Sequence, residues 1–350
     1  MLGIDQFTSP HDQGSSHGGS RMIRQAYFES PDYIPLVLRA YELWRKLEVD
    51  YGVRLLHITG GLTLGGCDGE IVPRTIAAAR QHSIPFETFD AGEVRRRFPG
   101  ITPLAHDSAV LEPHAGYLLP EECLRAHLKL AADAGAQIHF EERVLDWSAN
   151  SGHAAVRTEK GSYEAGHLVM TAGPWTNDAL GNLFPLRVTR QVMAWFAPRG
   201  GIAPFLPEKF PVFLMEDAGG LPGYGFPAID GPGRGMKAAI HGSDEVCTAD
   251  AVDRAIHDAD IARIRRKLGA RIPALNGELL HAQVCLYTMT PDENFVLGAH
   301  PQSGNCTVAC GFSGHGFKFA PVVGEVLADL ATTGTTAQPI GLFDPTRFAV

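Results

Sequence analysis

The sequence lacks the features of a nucleic-acid-binding or membrane protein. Its 350 residues carry a formal net charge of −9, and an acidic chain is repelled by nucleic acids and by anionic membranes. No apolar run approaches the roughly 20 residues that a membrane-spanning helix needs. Residues 1–7 contain one acidic residue and no basic one, so no signal peptide is predicted. Small molecules are therefore the expected partners.

The sequence also lacks a metal-binding or disulfide pattern. None of its cysteines forms a CxxC pair, and a chain of this length does not need a disulfide framework. His11, His17 and His241 show no ligand spacing, so no metal is predicted. A reducing cytoplasm is the expected location. The six cysteines are Cys67, Cys123, Cys247, Cys285, Cys306 and Cys310.

Glycine and proline are plentiful, with 39 and 24 residues, as in α/β or α+β enzymes with many tight turns. The pattern of apolar residues predicts a strand-rich region at 187–285. The regions before and after it are predicted to be α/β. This order predicts one domain built from discontinuous segments, with a second domain inserted. A buried strand is predicted at 167–170, and a strand, a glycine-rich loop and a helix within 306–334. The other predicted helices cover 33–49, 71–84, 90–100, 120–135 and about 250–268.

Residues 15–27 read SSHGGSRMIRQAY and place three basic side chains, His17, Arg21 and Arg24, among small residues. Arg21 and Arg24 are three residues apart, so they would share one face if the segment were helical. The segment is either a solvated loop with incidental charge or an anion site at the start of a helix.

Asp5 follows a short apolar run, LGI, that is typical of a strand. An acidic residue at the end of a parallel strand is where a Rossmann fold binds a ribose hydroxyl. The GxGxxG loop that precedes such a residue does not occur in this sequence, and Asp is also a common turn residue. Both interpretations of Asp5 stay open at this point.

Residues 311–321 read GFSGHGFKFAP and lie between an apolar strand and a helix. Three glycines in six residues allow the backbone to approach a ligand closely. Lys318 would then lie near the helix start, where a carboxylate or phosphate binds well. The alternative is a glycine-rich turn with a surface lysine.

Two further side chains lie within apparent strands. In residues 233–242, Lys237 and Ala239 alternate with Met236 and Ala238. An inward-facing Lys237 would be desolvated and its pKa lowered, whereas a solvent-facing lysine would be ordinary. Cys285 lies in an apolar strand and is either a reactive thiol or an inert core thiol.

Five motifs together resemble one family: SSHGGSRMIRQAY, YGFP, MKAAIH, CLYTMTPD and GFSGHGFKF, in that order. They are similar to the monomeric sarcosine oxidase and N-methyltryptophan oxidase family of flavoproteins, within the D-amino-acid-oxidase-like group. The resemblance runs from Asp5 to the C-terminus. It implies an α/β protein with a Rossmann-like FAD-binding domain and a strand-rich α+β substrate domain. The implied FAD-binding segments are 1–57, 114–186 and 286–350, and the implied substrate-binding segments are 58–113 and 187–285.

The resemblance also implies a function. The family uses FAD and oxygen to oxidise N-methyl amino acids, which yields an amino acid, formaldehyde and hydrogen peroxide. A monomer that binds a small amine and molecular oxygen is therefore expected. Two alternatives remain: an oxidase of another amino or imino acid, and an inactive remnant that keeps the substrate domain as a binding module.

The residue roles implied by the resemblance fall into two groups. In the cofactor group, Asp5 resembles the acid on the FAD ribose, and His17 and Arg21 resemble residues beside the flavin ring. Cys285 resembles the cysteine bonded covalently to the flavin. The loop that approaches the ring is matched by Gly314, His315 and Gly316.

In the substrate group, Arg24 and Lys318 resemble the pair that binds the substrate carboxylate. Lys237 resembles the lysine over the flavin that promotes its reaction with oxygen. His241 resembles a residue near the substrate, and Tyr224, in YGFP, resembles a tyrosine of the substrate pocket.

The sequence departs from the family in two places. Gly19 and Ser20 stand where the family often has an acid followed by Thr. The family's first strand, glycine-rich phosphate loop and first helix are also missing, roughly 30 residues by the size of a βα unit. We expect that Met1 corresponds to a start site placed too late in a longer gene.

Overall fold

The main helix begins and ends at local signals. The computed structural model describes residues 1–66, 68–150, 152–216, 220–231 and 233–348, so Cys67 lies outside the described residues. Ser30 caps the turn Pro31–Tyr33 that leads into α1, and α1 ends at Gly52, whose φ of 78° is left-handed. The α-helices of the described residues are α1 (Ile34–Tyr51), α2 (Ile71–Gln81), α3 (Ala91–Arg97), α4 (Pro120–Asp133), α5 (Thr176–Ala179), α6 (Asp258–Leu268) and α7 (Ala320–Thr333).

Most strands are short. Their bounds in the described residues, in chain order, are β1 (Leu2–Ile4), β2 (Arg21–Ile23), β3 (Leu56–Ile58), β4 (Gly61–Gly65), β5 (Glu87–Asp90), β6 (Ser108–Glu112), β7 (Gly116–Leu118), β8 (Gln137–His139), β9 (Val144–Asn150), β10 (His153–Thr158), β11 (Ser162–Ala165), β12 (Leu168–Met170), β13 (Arg187–Phe196), β14 (Val212–Met215), β15 (Gly223–Phe226), β16 (Met236–Ile240), β17 (Leu279–Met289), β18 (Val296–Ala299) and β19 (Cys306–Cys310).

The predicted helix at 250–268 is too long, because α6 begins only at Asp258. Arg190 explains the difference. Its Nε donates to the carbonyl oxygen of Asp253 at 2.7 Å, and its Nη2 donates to that of Ala255. These carbonyl groups therefore bind a side chain instead of closing a helical turn. The other predicted helices are confirmed, including α3, where Asp90 and Glu93 form a capping box.

The largest sheet is nearly all antiparallel. Its strand order is β17-β13-β16-β15-β14-β4-β6-β5, and among the described residues of this sheet only β14 and β4 pair in parallel. One face packs against α3 and α6 in a core that includes Phe213, Met236, Ile261, Ile264 and Leu268. All eight strands lie within 61–112 and 187–289. The domain boundaries themselves stay a prediction.

The parallel pairs belong to the α/β part of the chain. β1 pairs with β8 and β12 pairs with β19, both in parallel. Helices α1 and α7 pack together beside β19, with Trp44 and Val326 fully buried. The predicted buried strand at 167–170 is wrong in one respect: Val169 is 39% exposed, because β12 lies at the edge of its sheet.

The basic segment 15–27 is not helical. Arg21 begins β2, which pairs antiparallel with β7. Because side chains alternate along extended backbone, Arg21 and Arg24 point to different sides rather than sharing a helical face. The hypothesis of an anion site at a helix start is therefore wrong for this segment. No helix among the described residues is long and apolar enough to cross a membrane.

Candidate active site

Lys237 faces inward from β16 and is 2% exposed. Its Nζ donates to the carbonyl oxygens of Gly18 and Ser20, both at 2.8 Å, and to Ser20 Oγ at 3.2 Å. The rings of Trp195 and Phe226 lie 5.3 and 4.9 Å from Nζ. Burial is the main cause that lowers the pKa of Lys237 well below its ordinary value. The inward-facing interpretation is confirmed, and the solvent-facing one is wrong.

Arg21 connects Lys237 to Cys285. Its Nη1 donates to the carbonyl oxygen of Ser20 at 2.8 Å, an oxygen that Lys237 also binds. Its Nη2 donates to the carbonyl oxygen of Ser15 at 2.7 Å and lies 3.6 Å from Cys285 Sγ. Cys285 is itself buried, on β17. The Lys237 cluster, as we call it, consists of His17, Gly18, Ser20, Arg21, Lys237 and Cys285.

His17 is buried, and neither ring nitrogen has a hydrogen bond of good geometry within the described part of the chain, where the side chain of Gln283 is its polar neighbour. Burial, followed by the charge of Arg21, lowers the pKa of His17 to about 4. The ring is therefore neutral at pH 7. Buried polar atoms are nearly always satisfied in native proteins, so a ligand with hydrogen-bonding atoms is the expected partner of this imidazole.

Arg24 lies in a second group and binds an acidic side chain. Its Nη2 is 2.6 Å from both carboxylate oxygens of Glu29, and its Nη1 donates to the carbonyl oxygen of Ala26. The guanidinium stacks 4.3 Å from the centre of the Tyr27 ring. Burial alone would raise the pKa of Glu29, but Arg24 and its neighbours outweigh it and hold that pKa at about 2.

Lys318 contributes the second cation of this group. Its Nζ donates to the carbonyl oxygen of His315 at 2.8 Å and to Tyr27 Oη at 3.2 Å. Tyr27 Oη in turn lies 2.7 Å from His315 Nδ1. Because Lys318 is buried just before α7, the surface-lysine interpretation is wrong. The Arg24 cluster consists of Arg24, Tyr27, Glu29, His315 and Lys318.

Three side chains lie between the two clusters. His241 Nδ1 is 3.3 Å from Tyr287 Oη, and its ring contacts Tyr224 edge to face. Burial lowers the pKa of His241 to about 4, so this imidazole is also neutral at pH 7. The charges of Glu29 and Lys318 act on His241, while that of Arg21 acts on Tyr224. Charges from both clusters therefore act on the side chains of this region.

Asp5 lies at the carboxyl end of β1, away from these contacts. Its Oδ1 accepts a hydrogen bond from the backbone N–H of Phe7 at 2.9 Å, which is an Asx turn. Oδ2 is 3.9 Å from His11 Nε2, and the side chain is 40% exposed. The turn role is observed, and the ribose-binding role stays a prediction.

The loop at 314–316 requires glycine for packing. A Cβ on Gly314, whose φ is 79°, would lie 2.3 Å from the Tyr287 ring, and one on Gly316 would lie 2.5 Å from Phe312. Between them, His315 is buried, and its Nε2 lies 3.0 Å from the carbonyl oxygen of Glu293. Burial lowers the pKa of His315 to about 3. The flavin-contacting role of this loop stays a prediction.

Sequence reasoning missed three residues of the site. Glu29 forms an ion pair with Arg24. Its short distance from Arg24 in the sequence, five residues, was the feature that could have suggested this pairing. Glu121, in the first turn of α4, accepts hydrogen bonds from the backbone of Gly18. Tyr287, in CLYTMTPD, had no distinguishing signal. Among the described residues, no group of three or more His, Cys, Asp or Glu side chains is placed to hold a metal ion.

The chain that contains these residues matches a known protein family. A family model described as "FAD dependent oxidoreductase" matches residues 2–330. Because this match spans most of the chain, the protein belongs to the FAD-dependent oxidoreductase family. The predicted fold class, with its Rossmann-like FAD-binding part, is confirmed, as is the assignment of FAD as the cofactor.

Particular relatives narrow the class. The chain is 47% identical over 351 residues to the monomeric sarcosine oxidase of Streptomyces avermitilis, which covers 100% of this chain and 91% of that protein. It is 32% identical over 350 residues to an N-methyl-L-tryptophan oxidase of Yersinia pestis, with 99% and 92% covered. Among solved structures, the amino acid oxidase NikD matches with a TM-score of 0.86 at 25% identity, over 98% and 90% of the two chains. The predicted family resemblance is confirmed.

The residues of the Lys237 cluster fit a flavin ring. The two unsatisfied nitrogens of His17 suit a neighbour with hydrogen-bonding atoms, which a flavin ring supplies. Gly18 and Gly19 have left-handed φ values of 92° and 74°, and no atom lies within 4 Å of a Cβ placed on Gly19. A backbone of this kind can lie directly against a planar ligand.

The pH dependence of stability gives a test of the Arg24 cluster. Burial, with the charge of Arg24, lowers the pKa of Lys318 from 10.5 to about 7. Between those two pH values the unfolded chain binds more protons at Lys318 than the folded chain. The free energy of unfolding therefore gains about 1.4 kcal/mol per pH unit from this group as pH rises. Lys318→Met should lack this slope in denaturant titrations at pH 7.5–9.5.

Exposed Lys209 supplies the matched control. Lys209→Met should keep the wild-type dependence on pH, because its side chain is solvated in both states. If Lys318→Met and the wild-type protein gave parallel stability curves over this range, burial would not lower the pKa of Lys318 in the folded protein.

Proposed function

We propose that this protein is an FAD-dependent oxidase of N-methyl amino acids, of the sarcosine or N-methyltryptophan type. One observation carries the proposal: the Arg24 cluster stabilises a carboxylate, that of Glu29. The names of the relatives, a monomeric sarcosine oxidase and an N-methyl-L-tryptophan oxidase, agree with a substrate that carries one carboxylate and a methylated amine.

The Glu29 carboxylate occupies the position beside Arg24 that the substrate carboxylate would take. Both of its oxygens lie 2.6 Å from Arg24 Nη2, and a guanidinium binds a planar carboxylate at two points when it is free to do so. Lys318 adds a second positive charge nearby. A substrate carboxylate would take this place once Glu29 turns away, and the same two cations would then hold the substrate.

The middle of the site suits an uncharged amine. His241 is neutral at pH 7, and the hydroxyl groups of Tyr224 and Tyr287 stay protonated because burial raises the pKa of each. An amine that has lost its proton would find polar but uncharged neighbours here. Holding the carboxylate at one end fixes the position of the N-methyl group, which is the main requirement for hydride transfer.

A bound FAD would supply the two-electron oxidation of the N-methyl group, with oxygen as the final acceptor of the electrons. The substrate becomes an imine, and water converts it to formaldehyde and an amino acid. Oxygen takes up two electrons and two protons to give hydrogen peroxide. We assign Lys237 to stabilising the negative charge that develops on oxygen, and His17 and Arg21 to contacts with the ring. Asp5 is assigned to the ribose and residues 314–316 to the ring.

Covalent attachment of the flavin at Cys285 is part of the proposal. The Arg21 guanidinium places Sγ in an electropositive position, as in other reactive cysteines. Bonding of Cys285 Sγ to the flavin would remove one hydrogen from the thiol and one from the flavin, and oxygen would accept the two electrons and two protons. The flavin should then stay with the protein pellet after acid precipitation. In Cys285→Ala it should move to the supernatant.

Cys123→Ala is a suitable control for this prediction, since Cys123 is a buried thiol in α4. It should retain flavin in the pellet. Flavin that leaves the wild-type protein on acid treatment would rule out the bond.

The whole proposal is tested by purifying the chain and assaying peroxide with a panel of amines. A yellow protein that forms peroxide and formaldehyde from sarcosine or N-methyltryptophan is the expected result. A colourless protein would support the alternative of an inactive binding module. We further propose a monomer in the cytoplasm, with FAD-binding segments 1–57, 114–186 and 286–350 and substrate-binding segments 58–113 and 187–285.

A second candidate is an oxidase of another amino or imino acid. The structural likeness to NikD, described as an unusual amino acid oxidase, favours including cyclic imino acids in the panel. Peroxide formed from these, without formaldehyde, would select the second candidate.

A further inference from the structure

A single peptide group connects an acidic side chain to Lys237. The backbone N–H of Gly19 donates to the Glu121 carboxylate at 3.1 Å, and the N–H of Gly18 donates to the same carboxylate at 2.7 Å. The carbonyl oxygen of Gly18, which belongs to the same peptide as the Gly19 N–H, accepts from Lys237 Nζ at 2.8 Å. The peptide dipole therefore points its positive end at the carboxylate and its negative end at the lysine.

The backbone at Gly18 and Gly19 is shaped for this contact. Both residues have left-handed φ values, 92° and 74°, and successive N–H groups in such turns converge on an anion. A side chain on Gly18 would also meet Met193 Cε at 2.6 Å. The turn therefore requires glycine at 18, and its two N–H groups require an acceptor, which Glu121 provides.

Glu121 reaches the turn from the start of α4, where Pro120 occupies the first helical position. Its neighbour Glu122 points elsewhere and forms an ion pair with Arg125 on the helix surface. The two adjacent carboxylates thus have different environments, one on the Gly18–Gly19 turn and one in solvent. This difference makes Glu122 an internal control for Glu121.

The charges around Lys237 come from several elements. Arg21 on β2 disfavours the ammonium form, whereas Glu121 on α4 and the more exposed Asp230 favour it. Cys285 on β17 favours it only as a thiolate, not when its sulfur is bonded to the flavin. The flanking rings of Trp195 and Phe226, on β13 and β15, present their faces to Nζ. Of the two carboxylates, Glu121 has the larger effect on Lys237. It is also the one connected to Nζ by hydrogen bonds.

We propose that Glu121 is a positioning residue for Lys237, which it orients and keeps as an ammonium through the Gly18–Gly19 peptide. Only the expected effect of Glu121 on the reaction rate depends on the oxygen role that is proposed above for Lys237. The hydrogen-bonded path itself is independent of that role. Side chains that orient a functional group through hydrogen bonds commonly contribute about tenfold or more to activity, as the hydrogen-bond partners of metal ligands do.

The titration of Lys237 is the first test. The chain as purified is labelled with ¹³Cε-lysine, and the Lys237 signal is assigned by its loss in Lys237→Met. Glu121→Gln should move the Lys237 midpoint to lower pH, because a negative charge on the path is lost. Glu122→Gln should leave it in place. An unchanged midpoint in Glu121→Gln would overturn the proposal.

Amide hydrogen exchange distinguishes the effect of the negative charge of Glu121 from the effect of its hydrogen bonds to Gly18 and Gly19. Glu121→Ala removes the acceptor, so exchange of the Gly18 and Gly19 amides should speed up by about tenfold or more. Glu121→Asp keeps the charge but shortens the reach, and it should also speed up exchange. Unchanged exchange at both amides in Glu121→Ala would show that the carboxylate does not hold the turn, and would equally overturn the proposal.

The rate of the oxygen-dependent half-reaction completes the test. Glu121→Gln should slow it by about tenfold at pH 7, and the pH at which it declines should move down with the Lys237 midpoint. A midpoint that moves without any change in this rate would support the path and refute the oxygen role of Lys237. A rate that falls while the midpoint and the exchange stay constant would refute the path alone.

Discussion

Lys237→Met should slow the oxygen-dependent half-reaction by about 100-fold or more while leaving the anaerobic reaction with substrate nearly unchanged. The reaction with oxygen develops negative charge on oxygen itself, and a fixed, buried cation beside it stabilises such charge far better than water does. The Met side chain keeps the apolar contacts with Trp195 and Phe226. Stopped-flow absorbance, with the two half-reactions measured separately, gives both rate constants.

The surface lysine Lys160 supplies the control, since its Nζ donates to the carbonyl oxygen of Phe140 at an exposed position. Lys160→Met should leave both half-reactions unchanged. A Lys237→Met protein with slow reduction by substrate and normal reaction with oxygen would contradict the assignment, and would place Lys237 in substrate binding instead.

Arg24→Gln should lower kcat/KM for a carboxylate-bearing substrate by about 100-fold or more, mainly through KM. The guanidinium is the principal partner of the carboxylate, and glutamine retains neither its charge nor its two-point geometry. The same change leaves the partly buried Glu29 carboxylate without its ion-pair partner. We therefore also expect the protein to lose about 3 kcal/mol of stability, as when one partner of a buried pair is removed.

Removing the internal carboxylate should have the opposite effect on binding. Glu29→Gln frees the Arg24 guanidinium from its present partner, so KM should fall. The double variant Arg24→Gln, Glu29→Gln should recover much of the lost stability without recovering substrate affinity. Steady-state kinetics and denaturant titration measure the two effects separately.

Arg39→Gln is the matched control, because Arg39 pairs with Glu325 at the surface rather than in the site. It should change KM little. If Arg24→Gln bound a carboxylate substrate as tightly as the wild-type protein, the Arg24 cluster would be a structural ion pair, and the proposed substrate class would lose its main support.

The sequence predicts local structure well wherever the signals lie close together. Pro35 lies in the first turn of α1 and Gly52 ends this helix, and Asp90 with Glu93 starts α3, because capping depends on residues within one turn. The failure at 250–257 has a long-range cause. Arg190 takes the carbonyl groups that a helix there would use. Helical periodicity carries no information about a side chain 60 residues away.

The sequence by itself determined the class of protein: the order of its motifs predicts an FAD-dependent oxidase, and the comparisons confirm that class. Only the tertiary structure decided how the basic residues are used. Lys237 is buried because main-chain oxygens more than 200 residues earlier accept its hydrogen bonds. Arg24 and Lys318 share one carboxylate site, while Arg21 lies beside Cys285. Burial and partners, which set charge and reactivity, come from contacts between distant segments, and residue spacing does not encode them.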